Sequence, residues 1–370
     1  MKKKVGFLGW RGMVGSVLLK RMKKKKDFKK IKSFFFTTSQ VGQKSPNIKN
    51  VGNIFLYDAY DISILKELDI IVTCQGSAYT NTIFFKLRKI CWKGYWIDAS
   101  STLRMNSDSI IVLDPINYNN ILSGLNFGIK TFVGGNCTVS LMLLALGGLF
   151  QKKLIDWVSV STYQAISGGG AKHLQELLLQ IKYISKIIQK NEKYLEFSIL
   201  ELEHKILKSL FHNNFPKEYL KVPLVNSLIP WIDTLMKNGQ SKEEWKGMAE
   251  TNKILSSKKK IYIDGNCVRI SSLRCHSQSF TIKLLKNVSI SDIYTLIQEH
   301  NKWVKIIPNV PEETMQYLTP TFVSGTLKIP IGRIRKLNFG ELYLSAFSVG
   351  DQLLWGAAEP LRRILKILIS

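Results

Sequence analysis

The sequence predicts an α/β protein in two parts, a mostly parallel sheet covered on both faces followed by an α+β domain. Three observations carry this. Apolar strand-like runs alternate with helical stretches over residues 1–136, glycines cluster where the first strand meets the first helix, and beyond residue 136 runs of strands are followed by separate helices. At 370 residues the chain suits two domains, each able to bury its own core. The expected division is 1–136, completed by a C-terminal helix over 353–370, and 137–352.

Residues 4–9, KVGFLG, read as a short apolar strand, and RGMVGSVLLKRMKKK follows with helical periodicity. Strand, glycine turn and helix is how a Rossmann-like dinucleotide-binding domain begins. IKSFFFTTSQ (31–40), LDIIVTCQG (68–76) and GYWIDAS (94–100) are three further strands, with the helical AYTNTIFFKLRKICW between the last two. Residues 137–152 look like one helix, WVSVSTYQAIS (157–167) alternates like a half-solvated strand, and 171–188 is a strong helix behind three glycines. Residues 190–220 are polar and aromatic, with a helix around FSILELEHKILKSLF. SKEEWKGMAETNKIL reads as a helix, NCVRISSLRCHSQSFTIKLLK as two strands and VSISDIYTLIQEHN as a helix. The final DQLLWGAAEPLRRILKILI is amphipathic and is expected to pack back on the first domain.

Composition narrows the function. Hydrophobic residues make up 45% and charged residues 22%, as in an ordinary globular protein. No apolar run approaches the ~20 residues that span a bilayer. In MKKKVGFLGW, Gly6 and Gly9 interrupt the apolar run and Arg11 ends it, which argues against a secretory signal. Five cysteines without CxxC spacing argue against a disulfide framework or a zinc site, so a reducing cytoplasm is expected and no metal. The net charge of +26 invites a nucleic-acid reading. Only ten of the 53 basic residues are arginine, however, and the lysines fall in scattered runs such as KRMKKKKDFKK without aromatic interleaving. Neither a nucleic acid nor a membrane is expected as a partner.

Gly9, Gly12 and Gly15 follow GxxGxxG spacing, a departure from the commoner GxGxxG. The physical need is the same: a turn without Cβ atoms lets backbone N–H groups approach a pyrophosphate at a helix N-terminus. The second strand ends FFFTTSQ, without the acidic residue that accepts the ribose hydroxyls of NAD. Thr38 and Ser39 offer hydroxyls and Arg11 a phosphate partner, which favours NADP; the alternative is that Thr38 and Ser39 merely cap a turn.

In FVGGNCTVSLMLLALGGLF, Cys137 opens a helix. The macrodipole there would lower its pKa, and free backbone N–H groups could hold an oxyanion. A small buried core cysteine is the alternative. In CVRISSLRCHSQ, Arg269 could clamp a carboxylate and His276 could act as the base that activates the thiol. Glu243 and Lys246, three apart on one helical face, are site residues or an exposed ion pair, and Arg104 in SSTLRM is a candidate for a further anion site.

Taken together, VGFLGWRGMVGSVL, LDIIVTCQG, VGGNCTVSLML, YQAISGGGAKH, EEWKGMAETNKIL, VRISSLRCHSQ and GDQLLWGAAEPLRR resemble, in order and over nearly the whole chain, the signature segments of bacterial aspartate-semialdehyde dehydrogenases. The resemblance implies a phosphorylating aldehyde dehydrogenase. It would interconvert L-aspartate 4-semialdehyde, phosphate and NADP with L-4-aspartyl phosphate and NADPH through a cysteine thioester, on the route to lysine and diaminopimelate, threonine and methionine. It implies catalytic roles for Cys137 and His276 and substrate contacts from Gln164, Glu243 and Arg269. Arg104 and Lys246 match the phosphate site, and Arg11, Gly12, Met13, Val14, Thr38, Ser39, Gln75, Ser167, Gly168 and Gln352 the cofactor site. It also implies a homodimer joined through the second domain. DASSTLRM departs slightly from the family's DAASSLRM, and residues 190–220 drift. Rival readings are an N-acetyl-glutamyl-phosphate reductase, whose acetylated amine would not reward an acidic Glu243, and a basic binding protein that kept the fold without catalysis.

Overall fold

The computed structural model describes residues 2–191 and 198–370. The first sheet comprises β1 (Lys3–Leu8), β2 (Ile31–Thr37), β3 (Tyr57–Asp58), β4 (Ile70–Thr73), β5 (Tyr95–Asp98), β6 (Ser109–Val112) and β7 (Thr131–Gly134). All seven run parallel, in the order β3-β2-β1-β4-β5-β7-β6. The predicted parallel α/β sheet is therefore present. Strands β3, β6 and β7 were not foreseen from the sequence.

The glycine turn after β1 is as tight as its sequence suggests. Gly9 has φ +67°, and a Cβ there would lie 2.5 Å from the Cys74 backbone; one on Gly15 would lie 2.2 Å from the Gly9 carbonyl oxygen. Only glycine lets the Met13–Lys24 helix start so close to the ends of β1 and β4.

The second sheet comprises β8 (Ile155–Ala165), β9 (Tyr262–Asp264), β10 (Cys267–Ile270), β11 (Cys275–Leu284), β12 (Val304–Ile306), β13 (Ile329–Leu337) and β14 (Gly340–Asp351). Its order is β10-β8-β11-β14-β13-β12, with β9 also on β8. The β8-β11-β14-β13 centre is antiparallel, and the flanking pairs are parallel. Strand alternation divides its faces. Val158, Val160, Phe280, Ile282, Leu344 and Ala346 join a buried core with Leu141 and Leu144 of the Cys137–Ala145 helix. The opposite face carries half-buried or exposed Trp157, Ser159, Tyr163, Thr281 and Phe347.

One expectation is corrected. Residues 137–152 are not one helix: it breaks at Leu146, and Gly147–Gln151 forms a separate turn. Packing requires the break, since a Cβ on Gly148 would lie 1.9 Å from the Leu296 carbonyl oxygen and one on Gly147 would meet the His300 ring at 2.4 Å. NCVRISSLRCHSQSFTIKLLK forms two strands as expected, and Arg269 and His276 lie on β10 and β11, with β8 between them. In the 190–220 stretch a helix runs Ile199–Leu210, while 192–197 lie outside the described residues.

The chain ends in a wide turn, Leu354–Ala358, and the Glu359–Ile369 helix. Leu361, Ile364, Leu365 and Leu368 follow an i, i+3, i+4, i+7 stripe and join the core formed by Phe7, Val72 and Leu18 on one face of the first sheet. Ion pairs fasten its first turns, Arg362 to Asp27 at 2.6 Å and Arg21 to Glu359 at 2.9 Å. Ile364→Ala is expected to destabilise the protein by about 2–5 kcal/mol. Thermal unfolding checks this as a lowered Tm with the fold retained at low temperature.

Candidate active site

The turn after β7 sets Cys137. Asn136 is the N-cap, its Oδ1 accepting the N–H groups of Thr138 at 2.9 Å and Val139 at 3.3 Å, so the helix begins at Cys137. Buried Leu141 and Leu144 fix that helix against the second sheet. Gly356, in the turn before the C-terminal helix, lies against the cysteine: a Cβ there would sit 2.7 Å from Cys137 Cβ. Sequence reasoning missed Gly356, since nothing near it in the chain marks its contact.

Cys137 Sγ lies 3.2 Å from Nε2 of His276, which is fully buried at the start of β11. The Ala165 N–H donates to Nδ1 at 2.9 Å. The neutral ring therefore carries its proton on Nε2, facing the sulfur, and a second proton on Nδ1 would confront the Ala165 N–H. Burial first, and then the Arg269 charge, push the His276 pKa down to about 3. With its proton on Nε2, the ring is placed to donate to sulfur in the ligand-free site.

The thiol also departs from expectation. Burial, with the charge of Glu243 behind it, pushes the Cys137 pKa up to about 12, against the opposing pull of Arg269, Arg104 and Lys246. The depressed pKa expected from a helix N-terminus is thus not met in the ligand-free site, because removing a thiolate from water outweighs the nearby positive charge. The supply of oxyanion donors is smaller than expected too. The Thr138 and Val139 N–H groups serve the Asn136 cap, and the Asn136 N–H donates to Glu250 Oε2 at 2.6 Å. The Cys137 N–H, in the first turn, has no partner within its own helix.

Opposite the cysteine, the Lys242–Leu255 helix starts with a Ser241–Glu244 capping box and directs Glu243, Lys246 and Glu250 to one side at i, i+3 and i+7. All three are buried, so Glu243 and Lys246 are not the exposed pair that the sequence left open. Glu243 Oε1 accepts from Asn136 Nδ2 at 2.9 Å and Gln164 Nε2 at 3.1 Å, and its Oε2 from Lys246 Nζ at 2.9 Å. Burial works to raise the Glu243 pKa, but the Lys246 charge and these hydrogen bonds hold it below the usual value. Lys246 also meets Asp233 at 2.8 Å. Glu250, 1% exposed, pairs with Arg104 at 3.0 Å, while Arg104 Nε donates to the Gly134 carbonyl at 2.8 Å. Arg269, beside Gln164 in the β8/β10 register, donates to the Ala165 carbonyl at 2.7 Å and has no carboxylate partner among the described residues.

These groups converge. Arg104, Cys137, Gln164, Gly168, Glu243, Lys246, Arg269 and Gln352 line one cleft of about 390 Å³, with His276 behind the sulfur. Ser167 joins through its hydroxyl, which accepts from Gln352 Nε2 at 2.8 Å. Gly168 lies against Arg269, where a Cβ would sit 2.9 Å from Nη1. Arg11, Gly12, Met13, Val14, Thr38, Ser39 and Gln75 gather apart from these, at the C-terminal ends of β1, β2 and β4. There Arg11 Nη2 donates to Thr37 at 2.8 Å and Gln75 Nε2 to Thr38 at 3.4 Å. Thr37, Asp233 and Glu250 were not singled out from the sequence. Glu250 was within reach, being seven residues beyond Glu243 on the same helical face, whereas Asp233 sits in a loop with no periodic signal.

Residues 4–123 match the semialdehyde dehydrogenase NAD binding domain, and residues 146–355 the semialdehyde dehydrogenase dimerisation domain. A solved aspartate semialdehyde dehydrogenase from Francisella tularensis is 50% identical, with 100% of each chain covered and a TM-score of 0.95. The chain belongs to the aspartate-semialdehyde dehydrogenase family. More distant structures share the fold. Aspartate semialdehyde dehydrogenase II complexed with ASA from Vibrio cholerae is 19% identical, covers 100% of this chain and 98% of its own, and has a TM-score of 0.80. The aspartate semialdehyde dehydrogenase with NADP from Candida albicans is 15% identical, with coverage of 100% and 98% and a TM-score of 0.66. Membership of the aspartate-semialdehyde dehydrogenase family disfavours the acetyl-glutamyl-phosphate reductase alternative. No helix among the described residues is long and apolar enough to cross a membrane.

A raised thiol pKa makes less thiolate at a given pH. Alkylation of Cys137 by iodoacetamide in the ligand-free protein is expected to be slower than that of free cysteine at pH 8 and to keep rising above pH 9. Mass spectrometry of the Cys137 peptide measures it, and a plateau below pH 8 would contradict the burial argument.

Proposed function

We propose that this chain interconverts L-4-aspartyl phosphate and NADPH with L-aspartate 4-semialdehyde, phosphate and NADP through a Cys137 thioester. In biosynthesis it runs toward the aldehyde, supplying lysine and diaminopimelate, threonine and methionine. The observation that carries the reading is the 3.2 Å contact of Cys137 with His276 in a cleft holding Arg269, Arg104, Lys246 and Glu243.

Arg269 has a guanidinium without a carboxylate partner among the described residues, which suits it to the substrate α-carboxylate. Glu243, oriented by Asn136 and Gln164, faces the ammonium group. An ammonium there cancels part of the negative charge that raises the Cys137 pKa, so binding the correct substrate favours the thiolate. The thiol proton leaves to solvent through the open cleft. Sulfur attacks the acyl carbon, and the departing phosphate is received by Arg104 and Lys246. His276, neutral with its proton on Nε2, donates a hydrogen bond to sulfur and then to the oxygen that gathers charge in the tetrahedral states.

The nucleotide supplies the hydride that reduces the thioester. Its phosphates suit the N-terminus of the Met13–Lys24 helix, where Gly12 caps without a side chain and the first-turn N–H groups lack a side-chain partner. Arg11, Thr38 and Ser39, at the end of a strand with no acidic residue, support NADP over NAD. Gln75, Ser167, Gly168 and Gln352 complete the holding residues.

The half-covered face of β8, β11 and β14 supports a homodimer, as does the match to a dimerisation domain. We divide the chain at Cys137, where the first sheet gives way to the helix packed on the second. Five unpaired cysteines support a cytoplasmic location.

The test is phosphate-dependent reduction of NADP with aspartate semialdehyde. Cys137→Ala is expected to lower kcat by about 10⁴-fold or more; surviving activity would sink the thioester. NADP should exceed NAD in kcat/KM, and the reverse preference would overturn the role given to Thr38 and Ser39. Thr281→Arg places a charge on the uncovered sheet face and should shift the protein from dimer to monomer in sedimentation velocity.

A further inference from the structure

We infer that Lys246 occupies, in the ligand-free protein, the place of the substrate ammonium group, and that Asp233 is the positioning residue to which Lys246 retreats when an amine claims Glu243. The inference rests on the proposed substrate, an amine-bearing four-carbon acid.

Both oxygens of Glu243 are taken. Asn136 and Gln164 donate to Oε1, and Lys246 Nζ to Oε2. An incoming ammonium must therefore displace Lys246 from Oε2. Lys246 Nζ already bridges to Asp233 Oδ2 at 2.8 Å, so it has a second carboxylate on which to remain. Charge counting favours the exchange. Before binding, two carboxylates share one ammonium; after it, the substrate ammonium neutralises Glu243 and Lys246 neutralises Asp233. Without Asp233, two cations would compete for one buried carboxylate.

Asp233 is built to hold this position. Its backbone lies in the left-handed region at φ +75°, a conformation that needs support from its surroundings. The support is visible: its Oδ1 accepts the Thr234 N–H at 2.8 Å and its carbonyl accepts Trp231 Nε1 at 2.8 Å. The other oxygen is left to face Lys246. Release from Glu243 also frees one Lys246 N–H for the phosphate, so a single cation couples recognition of the amine to the anion site.

The exchange is tested by titration calorimetry with L-aspartate, which carries the amine, and succinate, which lacks it, against the wild type, Asp233→Asn and Asp233→Glu. Asp233→Asn should weaken L-aspartate by roughly tenfold, allowing for its 30% side-chain exposure, and leave succinate within about twofold. Asp233→Glu should restore much of the loss. The KM for aspartate semialdehyde should rise in Asp233→Asn with kcat little changed. Equal effects on both ligands, no effect on either, or failure of the wild type to bind either would overturn the exchange. If the wild type prefers L-aspartate through Asp233 but lacks semialdehyde activity, the proposed reaction falls while the exchange stands.

Discussion

The buried carboxylate of Glu250 is the constraint on which the site depends. One oxygen receives the Asn136 N–H and the other the Arg104 guanidinium, so a single side chain fixes both the turn that launches the cysteine helix and the Arg104 side chain that lines the cleft. Its own helix carries Glu243 and Lys246 on the same face, and the cleft is therefore held as one unit. Removing one partner of such a buried pair leaves an uncompensated charge, at a cost of about 3–5 kcal/mol. That cost keeps the arrangement rigid, and rigidity is what a nucleophile 3.2 Å from its partner needs.

A second consequence concerns the resting state. Burial disfavours the Cys137 thiolate and the His276 imidazolium alike, and the Ala165 N–H fixes the tautomer that faces the sulfur with a proton. Both effects act against charge on the pair in the ligand-free site. On the proposed reading, a substrate ammonium beside Glu243 would counter the rise that Glu243 causes in the thiol pKa. Activation of the thiol would then be part of recognition.

The two sheets meet at this point because the chain crosses between them twice. Strand β7 of the first sheet leads into the Cys137–Ala145 helix, packed on the second. Strand β14 of the second leads through the Gly356 turn into the helix that covers the first. Gly356 touches the cysteine at the second crossing, so both crossings bear on the reacting sulfur.

Chain-local signals were enough for the parallel first sheet, its glycine turn and the helices of the second part, because hydrophobic period and glycine placement act over a few residues. They also marked Cys137, Arg269, His276, Glu243 and Lys246 as candidates. The short strands β3, β6, β7, β9 and β12 escaped, as did the longer β13 and β14 and the break at Leu146, which the approach of Leu296 and His300 imposes from 150 residues away. Protonation states escaped as well. A helix N-terminus argues for a thiolate, yet burial is a property of the whole fold and reverses that argument at Cys137. Only the tertiary structure could pair Glu250 with Arg104, 146 positions apart, set Asp233 on Lys246 and choose the tautomer of His276, because each depends on which groups the folded chain brings within hydrogen-bond reach.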